Sequence, residues 1–570
     1  MKASFRDAWK LTAPYWRSKE RGKAYFLLAA IIGLNLGQVY INVRINKWNN
    51  DFYNALQDLQ KDDFYSLIIT FTVLAFIWII MTVYKIYLRQ MLQIKWRRWL
   101  TNHYLDRWLN KQAYYRLQVE GNPADNPDQR ISEDIGQFID ITLQLSLGLL
   151  SSIVTLFSFL MILWNLSGPA DFVLAGMNIH VPGYMVWAAL FYSIAGTAIT
   201  RWIGHPLIGL TYRQQKFEAD FRFSLVRLRE YGESVAFYKG EGAEKENFVK
   251  RFTAVFDNFW EIMKRQKAVG WFTSGYGQIA IIFPYVVTAP AYFSKKIKLG
   301  DLMQTASAFG EVQGALSYIV DVYVSTDSIS ITSWFAVIER LSGFTATVER
   351  FAAESEDPDA FRAQLQESPP SVAVAGLDVR LPSGEILLKG ISFNVDAGNS
   401  LLIQGPSGCG KSTLLRTIAG IWPYANGNLR LAADARSIFL PQKPYLPMGT
   451  LRQALIYPHT ADVSESVILE LLKTCQLGHL SGRLNEQHAW SHVLSLGEQQ
   501  RIAFFRALLF KQDIIFLDEA TSALDEKAEE YFYELLRKKL PKAVIVSVGH
   551  RQTLKQWHDH VLDLGKKKAK

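Results

Sequence analysis

Six stretches of the chain are apolar for long enough to cross a bilayer, and they alternate with polar stretches of two kinds. The pattern predicts spanning helices over 25–41, 65–88, 138–164, 183–203, 269–293 and 302–324. Pro284 and Pro290 fall inside the fifth, which lipid-embedded helices tolerate. Glu311 and Asp321 interrupt the sixth. Basic residues crowd the segment before the first span, the connection from the second to the third (Lys95, Arg97, Arg98, Arg107, Lys111) and that from the fourth to the fifth. The connection 165–182 holds no Lys or Arg, and the first connection holds Asp51, Asp58, Asp62 and Asp63 against Lys47 and Lys61. Lys295, Lys296 and Lys298 in the short fifth connection are the exception. This asymmetry predicts that both termini lie on the cytoplasmic side. The basic connections keep apolar residues at helical spacing (Trp96, Trp99, Leu100, Tyr104; Leu225, Leu228, Tyr231), so helices are expected to continue past the bilayer.

Past Val348 the pattern changes. Acidic residues and the pair Pro369-Pro370 mark 349–370 as a linker between a membrane domain, 1–348, and a second domain, 371–570. From Ser371 short apolar strands alternate with amphipathic helices, as in an α/β domain.

Composition agrees with one membrane half and one soluble half. The 570 residues exceed what a single core supports, 49% are hydrophobic and 13% aromatic, and mean hydropathy is +0.03. The net charge of +9 lies in the connections between apolar runs, which points to membrane topology and away from nucleic acid. Two cysteines, Cys409 and Cys475, imply no disulfide framework. Residues 1–23 are charged and aromatic with no apolar core before a small-residue cleavage site, so the first span is expected to act as an uncleaved anchor.

The second domain carries phosphate chemistry. An apolar strand ending at Gln404 runs into Gly405-Pro406-Ser407-Gly408-Cys409-Gly410-Lys411-Ser412-Thr413, and a helix follows at once. This is a P-loop. Its glycines let backbone N–H groups converge on phosphate oxygens at a helix N-terminus, Lys411 reaches the β- and γ-phosphates, and Ser412 suits Mg²⁺. A second strand, Ile514-Ile515-Phe516-Leu517, ends in Asp518-Glu519. Asp518 fits outer-shell coordination of Mg²⁺, and Glu519 fits polarising the attacking water.

Between them, Leu494-Ser495-Leu496-Gly497-Glu498-Gln499-Gln500-Arg501 resembles the LSGGQ signature of ABC ATPases. One glycine and the glutamine of that motif are Leu496 and Glu498 here, while Ser495 and Gly497 remain. The resemblance implies an exporter-type membrane domain joined to an ABC nucleotide-binding domain. It makes Gln442 the Q-loop residue touching Mg²⁺, Asp525 part of the D-loop, and His550 the switch histidine at the γ-phosphate. It also implies that ATP is sandwiched between the P-loop of one copy and Ser495, Gly497 and Glu498 of another, so a homodimer is expected. No aromatic occurs between Ser371 and Ser392, where such domains place an adenine-stacking ring; Leu381 and Pro382 stand there. The preference for ATP is therefore implied by the resemblance.

The membrane half resembles the SbmA/BacA family in its YddA-type branch with a fused ATPase, related to the subfamily D half-transporters. Three stretches carry the likeness: Trp48-Asn49-Asn50-Asp51-Phe52-Tyr53-Asn54-Ala55-Leu56 in the first external loop, Asn126-Pro127-Asp128-Gln129-Arg130-Ile131-Ser132-Glu133-Asp134, and Glu233-Ser234-Val235-Ala236-Phe237-Tyr238-Lys239-Gly240-Glu241. By itself each of the last two would be charged helix surface; the resemblance implies a contact that couples ATP closure to helix movement. It further implies ATP-driven uptake of hydrophilic compounds such as peptides, peptide antibiotics or cobalamin across a bacterial inner membrane. Rival readings are a lipid or acyl-CoA transporter and an ATP-gated sensory protein, the latter disfavoured by Glu519 and His550. Asp140, Glu311 and Asp321 are costly against lipid. Asp140 fits an interfacial helix end, while Glu311 and Asp321 are candidates for a polar substrate cavity.

Overall fold

The computed structural model describes residues 4–120, 126–167, 169–174, 177–324, 330–356, 361–367, 369–460 and 463–565. The chain divides into two compact units, Met1–Asn110 with Pro123–Glu349, and Lys111–Asn122 with Arg350–Lys570.

The first unit is built of long helices. A short helix, α1 (Phe5–Trp16), precedes α2 (Arg21–Gln57) and α3 (Lys61–Leu109). The unit continues with α5 (Ile135–Ser167), α6 (Tyr184–Glu230), α7 (Glu241–Phe293), α8 (Leu299–Val324) and the first part of α9 (Ile331–Glu356). Each of the six predicted segments falls in one of α2, α3 and α5 to α8, the fourth starting one residue early, at the Gly183 that caps α6. Among the described residues three helical stretches are apolar enough by composition to cross a membrane: Arg21–Gln57, Lys61–Glu120 and Pro127–Ser167. The segments in α6, α7 and α8 are diluted by Gly, Ser, Thr, Gln and Tyr. The apolar window of α3 has no buried residue, and Ile69, Phe76, Ile80 and Val83 are exposed along it, as a face turned to lipid would be.

Where a first external loop was expected, α2 stays helical to Gln57, so Trp48–Leu56 is helix. No Pro or Gly interrupts it after Gly37, and a row of amides recurs every three or four residues: Asn35, Gln38, Asn42, Asn46, Asn50, Asn54 and Gln57. The row faces other helices. Asn46 and Gln304 of α8 are hydrogen-bonded side chain to side chain at 3.1 Å, and Gln38 bonds Thr82 and Lys85 of α3. Polar pairing of this kind holds helices together where burial of apolar surface cannot. The predicted connection 165–182 contains an antiparallel hairpin of Pro169–Leu174 with Met177–Pro182. An apolar core of Phe159, Leu163, Met185, Ala189, Phe309 and Val312 joins α5, α6 and α8.

The second unit holds a parallel sheet of β1 (Ser400–Gln404), β2 (Ser437–Leu440), β3 (Ile514–Asp518), β4 (Val544–Val548) and β5 (His560–Asp563), in the order β5-β1-β4-β3-β2. β3 and β4 are buried along their whole length, which is why they read as apolar runs broken only by Ser547 and the terminal Asp518. Around the sheet lie α10 (Lys411–Ile418), α11 (Leu496–Leu509) and α12 (Glu526–Lys539). A second sheet combines Val372–Arg380, Ile386–Val395 and Ala425–Ala432 with Gln364–Gln366. The stretch expected as a linker is thus helical to Glu356 and contributes a strand at Gln364–Gln366. The helix α4 (Ala113–Glu120) belongs to this second unit, where Glu120 accepts from Tyr424 at 2.9 Å and from Arg350 at 2.5 Å.

Candidate functional site

In an open parallel sheet the ligand site lies beyond the carboxyl ends of the strands. β1, β3 and β4 end at Gln404, Asp518 and Val548, and the residues that follow converge there. After β1 the chain curls through 405–410 into α10. Gly410, in the left-handed region at φ 99°, caps that helix, and a Cβ on it would lie 2.9 Å from Leu387 Cδ2. Cys409 packs into the core beneath the loop. Lys411 is buried at 6% exposure, and its ammonium donates to the carbonyls of Gly405 at 3.0 Å and Pro406 at 2.9 Å. Among the described residues no carboxylate pairs with it, so its charge is left for an anion. Gly405, Pro406, Ser407, Gly408 and Thr413 complete the loop and the first turn of the helix.

Two side-chain clusters stand beside the loop. Ser412 Oγ donates to Asp518 Oδ1 at 2.7 Å. One residue on, Glu519 receives Gln442 Nε2 at 3.1 Å and lies 3.2 Å from His550 Nε2. Glu519 adopts φ 49°, a conformation uncommon for a residue with a side chain, and its N–H is held by the Val548 carbonyl at 3.0 Å. Strain of this kind concentrates at functional sites. Residues far apart in sequence, Lys411, Ser412, Gln442, Asp518, Glu519 and His550, are thus gathered at the strand ends.

The signature stretch begins α11. Ser495 is its N-cap, accepting from Glu498 N–H at 3.3 Å, and Glu498 closes the box by accepting from Ser495 N at 2.9 Å and Oγ at 2.8 Å. The glutamate at 498 therefore satisfies two donors at the helix end. Its remaining oxygen lies 2.8 Å from His479 Nε2. Burial works to raise the Glu498 pKa, but the hydrogen bonds from Ser495 and His479 prevail and hold it below the ordinary range. Gly497 brings the backbone close to the Ala523 carbonyl, 3.2 Å from where a Cβ would sit. Asp525 caps α12, accepting from Ala528 N–H at 2.7 Å.

Gln500 was not singled out by sequence. It is fully buried; its amide donates to the Gln442 carbonyl at 2.9 Å and to Ser522 Oγ at 3.1 Å, and its Oε1 accepts from Ala523 N–H at 3.0 Å. One side chain ties α11 to the chain around Gln442 and to the turn after Glu519. The available signal was weak, since Gln500 is one of several polar residues in α11, of which Gln499 and Arg506 are buried as well.

In the first unit, Glu311 is half-buried on α8, next in sequence to Gly310, which lines a cleft of about 300 Å³; Glu311 is not among the lining residues. The side chain of Asp321 lies outside the described residues. Asp140 accepts from Gln144 one turn along α5 at 3.0 Å. The stretch 126–134 has a buried anchor: Asp134, 1% exposed, is paired with Arg130 at 2.8 Å and with Arg340 of α9 at 2.6 Å. The stretch 233–241 forms a short helix, Gly232–Phe237, and leaves Phe237 and Tyr238 exposed.

Comparison with known proteins places these features. Residues 10–293 match the family described as ABC transporter transmembrane region 2, and residues 388–522 match the family described as ABC transporter. An uncharacterized ABC transporter ATP-binding protein of Haemophilus influenzae is 37% identical over 98% of this chain and 91% of its own length. The inner membrane ABC transporter ATP-binding protein YddA of Escherichia coli is 33% identical over 97% of this chain and 96% of its own. The human lysosomal cobalamin transporter ABCD4 is 26% identical over 97% and 93%. A bacterial Atm1-family ABC exporter with ATP bound shares the fold at a TM-score of 0.71, with 17% identity over 96% of this chain and 94% of that one.

Proposed function

Since the chain belongs to the ABC transporters that fuse a membrane region to an ATPase domain, of the YddA type and related to subfamily D, we propose that two copies form an importer of hydrophilic compounds. ATP binding and hydrolysis coupled to transport follow from membership of the family. The observation that carries the assignment of roles is the convergence of Lys411, the pair Ser412–Asp518 and the trio Gln442–Glu519–His550 at the ends of four parallel strands, β1 to β4.

In this reading the 405–410 amides and Lys411 neutralise the nucleotide's phosphates. Glu519 orients and polarises the attacking water, and His550 and Gln442 hold the γ-phosphate end of the site. Ser412, Asp518 and Gln442 offer hard oxygen ligands of the kind Mg²⁺ takes, and Mg²⁺ would supply neutralisation of charge on the β- and γ-phosphates. Among the described residues no group of three His, Cys, Asp or Glu could cage a metal, so a cation here would depend on the nucleotide for much of its coordination. Ser495, Gly497 and Glu498 of the second copy close the site, with Asp525 in the turn beside it.

The cargo reading covers peptides, peptide antibiotics and cobalamin. Its support is the full-length similarity to a relative named for cobalamin, and the membrane assignment rests on that to one named for the inner membrane. Both termini are then cytoplasmic, in a bacterial cytoplasmic membrane, in keeping with the basic connections. Uptake of labelled cobalamin and of a proline-rich peptide, compared between wild type and Lys411→Ala in cells, tests it. Accumulation of both that ignores the substitution rejects ATP-driven import.

A further inference from the structure

Along α2 every amide side chain but one is engaged by a neighbour. Asn35 donates to the Leu147 carbonyl at 3.0 Å, Asn42 accepts from Trp78 at 3.2 Å, Asn50 donates to Gln304 at 2.7 Å, and Gln57 accepts from Leu299 N–H at 2.8 Å. The Asn49 side chain has no hydrogen bond among the described residues. Neither has the hydroxyl of Tyr53, one turn on, nor that of Ser307 on α8. These three half-buried groups, without a partner among the described residues, line one cleft of about 300 Å³ between α2, α7 and α8.

The rest of the cleft has a consistent character. Tyr285 is half-buried there, and its hydroxyl reaches only the Met303 sulfur, at 3.6 Å. Gly277 and Gly310 contribute bare backbone, and a Cβ on either would meet nothing within 4 Å. Among the described residues no Lys, Arg, Asp or Glu lines it. The site therefore offers neutral groups that both donate and accept, on walls that a ligand's backbone can approach closely.

That chemistry discriminates. A phosphate- or carboxylate-bearing ligand needs cations or a cluster of N–H donors to replace its hydration, and the cleft supplies no cation. An acyl chain would cover the amide and hydroxyls without bonding them, leaving each desolvated and unpaired. A carboxamide matches, because its N–H and C=O pair with a side-chain amide and hydroxyls at no cost in charge. We propose that the cleft bounded by Asn49, Tyr53 and Ser307 binds carboxamide groups of the transported compound. The source is a peptide backbone or the amide arms of a corrinoid, and the assignment rests on the hydrophilic-cargo reading above.

The test measures equilibrium binding of two labelled ligands, cobalamin and an uncharged peptide, to the purified full-length protein in lipid nanodiscs. A long-chain fatty acid, which carries no carboxamide, serves as competitor. Asn49→Ala, Ser307→Ala and the milder Tyr53→Phe should each weaken binding of one of the two ligands about two- to tenfold, and the fatty acid should not displace it. The same cleft variants should unfold at the wild-type temperature, since the removed groups have no partners, whereas Asn46→Ala should lower it. If wild type binds a carboxamide ligand and the three variants bind it equally well, the cleft assignment is overturned while the cargo reading survives. If wild type binds neither ligand and binds the fatty acid, the cargo reading fails and takes the cleft assignment with it.

Discussion

Glu519 is held on three sides, by the Gln442 amide, by His550 and through its own N–H by Val548, in a backbone conformation that disfavours side chains. So much restraint on one carboxylate is what positioning a water requires. Glu519→Gln keeps the size and loses the base: ATP should still bind, while phosphate release by the purified protein should fall by about 10²- to 10⁴-fold. Hydrolysis at the wild-type rate would overturn the assignment. Gln500 makes the opposite case, a residue that touches no nucleotide in any reading and yet holds three backbone or side-chain partners. Gln500→Leu leaves those partners unsatisfied in a buried place and should destabilise the second unit by roughly 2–4 kcal/mol, read as a lowered unfolding temperature. Its effect on turnover should exceed its effect on nucleotide affinity, because it links the surroundings of Gln442 and Glu519 and not the P-loop. The difference in legibility between the two residues is physical. Glu519 announces itself locally, at the end of an apolar strand in a fixed motif, whereas the partners of Gln500 lie as much as 58 residues away and only the fold brings them to it.

At the scale of elements, β1 and β3 were readable because a strand buried on both faces is apolar along most of its length. Their order in the sheet was not, since parallel pairing is decided by the helices that cross between them. The far part of α2 was hidden for another reason: hydropathy averages around the helix, so a helix with a polar stripe on one side scores as a loop at 42–57. The position of the amides at steps of three and four was the surviving sign. In the segment after β4, burial, with the Arg537 charge beside it, outweighs the Leu554 carbonyl and Asp559 in setting a pH dependence. His558 is packed against Tyr533, its Nδ1 lies 2.7 Å from the Leu554 carbonyl and its Nε2 2.7 Å from Ser547 Oγ. Burial pushes its pKa down to about 4, against 6.5 for a free histidine. Between those values the unfolded chain takes up a proton that the folded chain does not. This contribution to stability is therefore complete above pH 6.5 and lost as pH falls toward 4, roughly 3 kcal/mol in all. Thermal unfolding of the purified protein should show a steeper loss between pH 6.5 and 4 than His558→Gln does. Equal slopes would assign the acid sensitivity to other groups.

At the scale of the whole molecule, the chain holds one P-loop and one signature, and the reading of it as half of a transporter makes a sharp demand. If each ATP is enclosed by Lys411 of one copy and Ser495 and Gly497 of the other, then neither copy owns a complete site. Lys411→Ala homodimers have two damaged sites, and so do homodimers of Gly497→Asp, whose added side chain would both crowd the Ala523 carbonyl and place a negative charge at the helix end that must accept a γ-phosphate. A dimer of one chain of each kind is different. One of its sites pairs the damaged P-loop with the damaged signature, and the other pairs the intact P-loop with the intact signature. Co-expression of the two inactive chains should therefore restore hydrolysis. With random pairing half the dimers are mixed and each holds one whole site, so about a quarter of the wild-type sites return. Carrying the two tags on separate chains and purifying through both in turn isolates the mixed dimer, and about half of the sites should then be whole. Were each site contained within one chain, both subunits of the mixed dimer would stay inactive and no activity would return at any ratio. The measurement separates shared from private sites without any knowledge of what is transported.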